Sequence, residues 1–194
     1  MDDDPIRPPA VLAAIWSDTE KAGFALPSDY KLGGLLRVLA ASKPGGRLLE
    51  IGTGTGLAAA WLLDGMDARA HLTSIEADGR WAAIAAKHLR GDPRLTLLDA
   101  DAFSWFGGQP AASYDLVFAD AMPGKFDGFE ALWRLLKPGG LYIIDDLMPQ
   151  PGWPPGQAAR VQAVLDQLDA REDARVARLA WSSDIAIAAK TAPR

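Results

Sequence analysis

Short apolar runs alternate with helix-like runs along most of the chain, and this alternation constrains the fold more than any other feature of the sequence. Helices or helical turns are predicted between successive members of a series of five strands, at residues 47–51, 70–76, 94–99, 114–120 and 141–145. Parallel neighbouring strands need such crossovers, so the pattern is typical of an α/β domain with a mostly parallel sheet flanked by helices. The length of 194 residues fits one such domain, over residues 1–194.

The segment before the first strand is predicted to be helical. Two helices are expected within residues 10–42, and Ser28 is the expected N-cap of the second one. Residues 1–9 are rich in proline and aspartate, and we expect them to be frayed.

The last part of the chain has a different pattern from the rest. Residues 174–190 contain two strands with no helix between them, which predicts an antiparallel hairpin at or near an edge of the sheet. The stretch "KPGG" occurs at 43–46 and again at 137–140, and each copy predicts a turn ahead of a strand.

Composition excludes several classes of function. The net charge of −5 argues against nucleic acid or an anionic membrane as the main partner, because phosphate binding needs a concentrated basic surface. The chain has no cysteine and 2 histidines, which excludes disulfides and thiolate chemistry and disfavours a Ser-His-Asp triad. No apolar run approaches the ~20 residues of a membrane helix, and the acidic start has no signal-peptide core, so we expect a cytoplasmic protein.

Three glycines at alternate positions follow the first predicted strand, in "LLEIGTGTGLAAAWLL" (48–63). Gly52, Gly54 and Gly56 permit positive φ angles and a close approach of the backbone to a ligand. In open parallel sheets, ligands bind at the carboxyl ends of the strands. The dinucleotide pattern is G-x-G-x-x-G, whereas here the third glycine comes one residue early. The stretch predicts a nucleotide-like ligand without the usual pyrophosphate cradle.

Glu76 ends the second predicted strand, 20 residues after Gly56. A carboxylate at this place can accept hydrogen bonds from both hydroxyls of a ribose. The alternative is a solvent-exposed glutamate at a strand end. The functional interpretation implies a ribose with two free hydroxyls.

Five stretches resemble, in order, the motifs of S-adenosylmethionine-dependent methyltransferases with a Rossmann-like sheet: "LLEIGTGTG", "TSIEAD", "LLDADAF", "YDLVFADA" and "LLKPGGLYIIDD". The resemblance covers the core at 47–146 and implies a seven-stranded sheet of order 3-2-1-4-5-7-6 with strand 7 antiparallel. It implies S-adenosyl-L-methionine as cofactor, with Asp101 bonded to the adenine amino group and Ala102 against the adenine face. The full set of implied cofactor-binding residues is Glu50, Gly52, Thr53, Gly54, Gly56, Glu76, Asp101, Ala102 and Asp120.

Within this superfamily the chain looks most like the small O-methyltransferases similar to catechol and caffeoyl-coenzyme A methyltransferases. The resemblance implies O-methylation of a small-molecule hydroxyl and a possible homodimer. Two other functions stay open at this point: a nicotinamide-dependent oxidoreductase on the same kind of sheet, and a domain that binds S-adenosylmethionine without catalysis.

Asp120, Asp145 and Asp146 lie at the ends of two predicted strands that the resemblance makes neighbours. Clustered carboxylates repel one another unless a cation or a proton intervenes, and oxygen ligands suit Mg²⁺ or a similar ion. The resembled family holds a divalent ion there with Asp, Asp and Asn, so Asp146 stands in the asparagine position. Such an ion would lower the pKa of the acceptor hydroxyl. Alternatively, Asp120 contacts cofactor or substrate while the other two cap the following loop.

The sequence offers more than one role for the lysine nearest to the strand-four aspartate. The resembled family has a lysine three residues after the strand-four aspartate, where this chain has Pro123. Lys125 is the nearest lysine, and it can act as a base if its pKa is depressed. It can equally be a loop residue or a partner of Asp120. Asp120 and Lys125 are therefore the candidate catalytic residues.

Overall fold

A single mixed sheet forms the centre of the computed structural model, which describes residues 6–149 and 153–192. The strand order is β3-β2-β1-β4-β5-β7-β6, with β7 antiparallel to both of its neighbours and all other pairs parallel. The strands are β1 (Arg47–Ile51), β2 (His71–Glu76), β3 (Leu95–Asp99), β4 (Tyr114–Ala119), β5 (Leu136–Ile144), β6 (Ala174–Leu179) and β7 (Ile185–Lys190). The α/β class and the strand order implied by the resemblance are confirmed.

Helices cover both faces of this sheet. They are α1 (Leu12–Ala22), α2 (Tyr30–Ala41), α3 (Leu57–Gly65), α4 (Gly79–Leu89), α5 (Ala102–Phe106), α6 (Met122–Lys125), α7 (Phe129–Leu135) and α8 (Gln157–Asp169). Side chains alternate across the sheet, so Leu48 and Leu116 pack with α1–α3 while Leu49 and Val117 pack with α5, α7 and α8. None of the helices in the described ranges is long and apolar enough to cross a membrane.

The N-terminal segment differs from expectation in one detail. The N-cap of α2 is Asp29 and not Ser28, since the Asp29 carboxylate accepts a hydrogen bond from the Leu32 N–H at 2.8 Å. Residues 1–5 lie outside the described residues, but Ile6 packs against the α1–α3 cluster and the Arg7 carbonyl accepts a bond from Arg37 at 2.8 Å. Ile6 and Arg7 thus contact the folded chain, and the expectation of fraying stays a prediction.

The two "KPGG" stretches also behave differently. The first one forms the expected turn, closed by a bond from the Gly46 N–H to the Lys43 carbonyl at 2.9 Å. The second one is part of β5, which begins at Leu136 and shifts register against β4. Gly139 there has φ +80°, so the strand carries an irregularity where a separate turn was predicted.

The glycine turn between β1 and α3 requires its glycines. All three have positive φ, at 94°, 52° and 96° for Gly52, Gly54 and Gly56. A Cβ on Gly52 would lie 2.8 Å from the Asp120 carbonyl oxygen, and one on Gly56 would lie 2.9 Å from the Leu89 side chain. The turn therefore packs directly against the end of β4, which brings Asp120 to the ligand-binding edge of the sheet.

Candidate active site

A cavity of about 590 Å³ opens at the carboxyl ends of β1, β2 and β4. Its lining includes the predicted residues Gly52, Thr53, Gly54, Glu76 and Asp120. This is the edge at which parallel sheets bind their ligands. The glycine turn and the strand-end carboxylates thus face one common space.

Glu76 is held in position by the backbone around it. One carboxylate oxygen accepts the Gly54 N–H at 2.8 Å and the other accepts the Asp78 N–H at 2.9 Å. Each oxygen keeps further lone-pair capacity. The carboxylate is therefore fixed next to the cavity and can still accept two hydroxyl groups.

Glu50 lies beneath the glycine turn and not in the cavity. It is fully buried, and its Oε2 accepts a hydrogen bond from the Ser74 hydroxyl, which also contacts the Thr53 hydroxyl at 2.5 Å. Burial raises the pKa of the Glu50 carboxyl to about 8, and Oε1 has no partner among the described residues. Glu50 thus supports the turn through Ser74 and Thr53.

Gly56, Asp101 and Ala102 are not among the residues that line this cavity. Asp101 is exposed and caps α5, where its Oδ1 accepts the Ser104 N–H at 2.8 Å and the Ser104 hydroxyl at 2.9 Å. The backbone bond from Ser104 lowers the pKa of Asp101. The contacts to adenine expected of Asp101 and Ala102 stay predictions.

Three carboxylates meet where β4 and β5 end side by side. Asp120 follows β4, and Asp145 and Asp146 follow β5. Each offers one oxygen within 4.8 Å of the others. Asp146 has φ +54°, and the Ser183 hydroxyl accepts a hydrogen bond from its backbone N–H at 3.2 Å.

The ammonium of Lys125 lies among these three carboxylates. Its Nζ is 3.1 Å from Asp145 Oδ1, 3.6 Å from Asp146 Oδ2 and 3.8 Å from Asp120 Oδ1. The lysine side chain is only 6% exposed. We refer to Lys125, Asp120, Asp145 and Asp146 as the acid–ammonium cluster.

A distorted turn directs Lys125 into the cluster. Pro123 and Gly124 have non-helical dihedral angles inside α6, with φ +86° at Gly124. The Tyr142 hydroxyl donates a hydrogen bond to the Gly124 carbonyl at 2.8 Å, and a Cβ on Gly124 would lie 2.2 Å from Leu132. Packing against β5 and α7 therefore fixes the backbone from which the lysine side chain extends.

Electrostatics decide the protonation state of Lys125. Burial opposes its charge, but the carboxylates of Asp145, Asp120 and Asp146 outweigh burial and raise the pKa of the ammonium above its usual value. The ammonium is thus charged at neutral pH, and the depressed pKa that a lysine base needs is not found. Burial, followed by repulsion from Asp145, raises the pKa of Asp120, and burial also raises that of Asp145.

The carboxylates alone have the oxygen chemistry that a hard divalent ion prefers. The Lys125 ammonium, however, already contacts an oxygen of each of the three. A divalent ion that bound these carboxylates at its usual distance of about 2.0–2.6 Å would have to compete with the ammonium that already contacts all three. The residues present therefore do not fit a divalent ion bound beside the ammonium.

The segment between α1 and α2 supplies a wall that the sequence did not reveal. Phe24 lies over the turn, with its ring 2.9 Å from where a Cβ on Gly54 would be. Leu26 and Ser28 line both this cavity and a second one of about 280 Å³, and Asp120 and Asp146 also border both. No motif marks this segment, because its position depends on how the N-terminal helices dock on the sheet.

Comparison with known proteins identifies the family. A family model described as "Methyltransferase domain" matches residues 49–147. The chain belongs to the methyltransferase domain family. A Mycobacterium avium protein named "Putative O-methyltransferase" is 33% identical over 152 residues, covering 75% of this chain and 67% of the relative. A Mycolicibacterium vanbaalenii protein of the same name is 35% identical over 63% of this chain and 55% of its own length. The methyltransferase chain thus spans about half to two thirds of the length of these relatives.

Solved structures share the architecture of this methyltransferase. An O-methyltransferase from Bacillus cereus in complex with SAH has a TM-score of 0.82 at 20% identity, covering 97% of this chain and 94% of that one. The Streptomyces achromogenes O-methyltransferase TomG, in complex with SAM, has a TM-score of 0.80 at 22% identity, with coverage of 96% and 92%. At such identities the likeness concerns the fold.

Proposed function

We propose that this methyltransferase transfers the methyl group of S-adenosylmethionine to a hydroxyl of a small molecule. The observation that carries the proposal is the Glu76 carboxylate, which the Gly54 N–H holds at the cavity that Asp120 and Lys125 also line. A ribose-binding group and a charged reaction centre thus border the same space. The family membership and the names of the relatives agree with this function.

In this proposal Gly52, Thr53 and Gly54 allow close approach of the adenosyl group, and Glu76 accepts the ribose hydroxyls. When bound, the cofactor supplies a sulfonium methyl group that is open to attack by an oxygen nucleophile. Leu26 and Ser28, which line both cavities, would hold the acceptor beside the cofactor, and such positioning supplies much of the rate. The second cavity, beyond Asp120, is the proposed acceptor site.

The acid–ammonium cluster would accept the proton of the acceptor hydroxyl and stabilise the negative charge that develops on its oxygen. Asp120 accepts the proton of the acceptor hydroxyl, and the burial that raises its pKa makes its carboxylate a stronger base. The Lys125 ammonium stabilises the oxygen as it becomes negative. With the cofactor held at Gly54 and Glu76, the acceptor oxygen would take its methyl group, and the electron pair of the broken sulfur–methyl bond would stay on sulfur.

The two alternatives from the sequence predict different binding and turnover. Calorimetry with S-adenosylhomocysteine and with NADH separates the methyltransferase from an oxidoreductase, and we expect binding of the first ligand only. Transfer of a labelled methyl group to a panel of phenols and catechols, with Mg²⁺ or EDTA, separates an enzyme from a silent binding domain. Binding of the cofactor with no transfer to any acceptor would favour the silent domain.

Replacement of Glu76 by alanine is expected to weaken binding of S-adenosylhomocysteine by about 30- to 100-fold, because two charge-assisted hydrogen bonds to the ribose are lost. Isothermal titration calorimetry measures the change. Glu172→Ala is a matched control, since Glu172 is exposed at the start of the C-terminal hairpin. Equal affinity of the two variants would contradict the proposed role of Glu76.

Three expectations about partners and location belong to the same proposal. The acceptor is a small molecule, nucleic acid is not a partner, and the protein acts in the cytoplasm. The net charge of −5 supports the second of these. The resemblance also leaves a homodimer open, and sedimentation of the purified chain distinguishes a dimer from a monomer.

A further inference from the structure

We propose that the Lys125 ammonium is the resident cation of the acid–ammonium cluster and replaces the divalent ion that these carboxylates would otherwise bind. This inference rests on the proposed function only in so far as the cluster is the reaction centre. Its evidence is the position of one buried Nζ within 3.1–3.8 Å of an oxygen of each of three carboxylates.

The backbone around Lys125 supports a permanent position for this cation. Pro123 stands where the resembled family has its lysine, and the lysine of this chain comes two residues later. The turn at Gly124 is closed by the Tyr142 hydroxyl and packed tightly against Leu132. Because that packing fixes the turn, the lysine does not belong to a loop that is free to move aside for an ion.

The burial of the group points in the same direction. Lys125 and Asp145 have side chains that are 6% and 5% exposed, so their ion pair is shielded from solvent. A buried charge needs a compensating partner, and each of these groups has the other. A divalent ion could neutralise the carboxylates in place of the ammonium only if the Lys125 side chain left the cluster. The buried space that this side chain fills would then have to be occupied by other atoms.

The net charge of the acid–ammonium cluster differs from that of the same carboxylates with a divalent ion. An ammonium brings one positive charge to the three carboxylates, whereas a divalent ion brings two. The cluster therefore retains more negative charge beside the cavities than a metal-loaded one would. Part of that charge lies on Asp146, which is 39% exposed and borders both cavities.

Titration with Mn²⁺, followed by electron paramagnetic resonance, tests the inference directly. We expect no stoichiometric binding by the wild type or by Lys125→Arg at ion concentrations up to roughly 1 mM. Lys125→Met removes the charge and keeps the length of the stem. It is expected to bind one Mn²⁺ at least about tenfold more tightly than the wild type, and Asp145→Asn in that background should abolish the gain.

Two outcomes would overturn the inference. One is binding of Mn²⁺ by the wild type that Asp145→Asn removes. The other is a folded Lys125→Met variant that binds Mn²⁺ no better than the wild type. If Lys125→Met folds only when Mn²⁺ is present, that result supports the inference; if it does not fold at all, the wild-type and Lys125→Arg titrations decide.

A separate experiment tests the proposed function, and its result does not depend on the Mn²⁺ titrations. Calorimetry with S-adenosylhomocysteine, on the same preparation and without added metal, reports on the cofactor site alone. Absence of cofactor binding together with the expected Mn²⁺ results would refute the methyltransferase proposal and leave the role of Lys125 standing. If the wild type binds both the cofactor and, through Asp145, Mn²⁺, the proposed role of Lys125 is refuted and the methyltransferase proposal stands.

Discussion

Replacement of Lys125 by methionine is expected to lower the free energy of unfolding by about 3–5 kcal/mol at neutral pH, in the absence of divalent ions. The change removes the ammonium that contacts Asp120, Asp145 and Asp146, and it leaves buried carboxylates without a counter-charge. These carboxyls can relieve the repulsion by taking up protons. The loss should therefore be smaller at pH 5 than at pH 8, and urea unfolding at both values measures it.

Lys137→Met is the matched control for this experiment. Lys137 pairs with Asp115 at 2.7 Å, but its side chain is 38% exposed, so water screens the pair. Ion pairs of this kind contribute at most about 1 kcal/mol. If the two variants lose similar amounts of the free energy of unfolding, the ion pairs of Lys125 contribute no more to stability than the half-exposed pair of Lys137.

Replacement of Glu50 by glutamine is expected to remove a strong pH dependence of stability. The pKa of Glu50 is about 8 in the folded chain, against 4.5 for a glutamate in water. Between these values the folded state binds more protons than the unfolded state, so the free energy of unfolding falls as pH rises. The full shift corresponds to about 5 kcal/mol, which is present below pH 4.5 and lost above pH 8. Glutamine is neutral throughout and should not show this loss.

Urea unfolding at pH 5 and at pH 9 tests the effect of Glu50. Between pH 5 and pH 9, we expect the free energy of unfolding of the variant to rise by about 4 kcal/mol relative to that of the wild type. This is less than the full shift because Glu50 titrates incompletely within this pH range. Glu172→Gln serves as the control, because this exposed carboxylate should leave the pH dependence unchanged. If the curves of wild type and Glu50→Gln run parallel, Glu50 is not protonated in the folded state.

The sheet and its ligand-binding edge were predictable because their causes are local or topological. The alternation of strands and helices predicts a mostly parallel sheet, and the family resemblance of the motifs from Leu48 to Asp146 implies the strand order. Asp120 and Asp145 were expected to lie together because neighbouring parallel strands end at the same edge. The position of Glu50 also has a sequence signal, since central strands of a parallel sheet are buried on both faces.

The position of Lys125 could not be predicted from the sequence. It depends on a positive φ at Gly124, on the hydrogen bond from Tyr142 and on contact with Leu132, which come from separate parts of the chain. The sequence left three roles open for Lys125, those of a base, a loop residue and a partner of Asp120, and its contacts with three carboxylates favour the last of these. Ser28 and Asp29 illustrate a smaller limit, because adjacent residues of capping type leave the helix start ambiguous by one residue.

The left-handed backbone at Asp146 bears on how this site can evolve. At φ +54° the residues that fit with least strain are glycine, asparagine and aspartate. Aspartate and asparagine codons differ by one base, and the two side chains have nearly the same shape. A single mutation can therefore add or remove a negative charge between the two cavities without a change in the course of the chain.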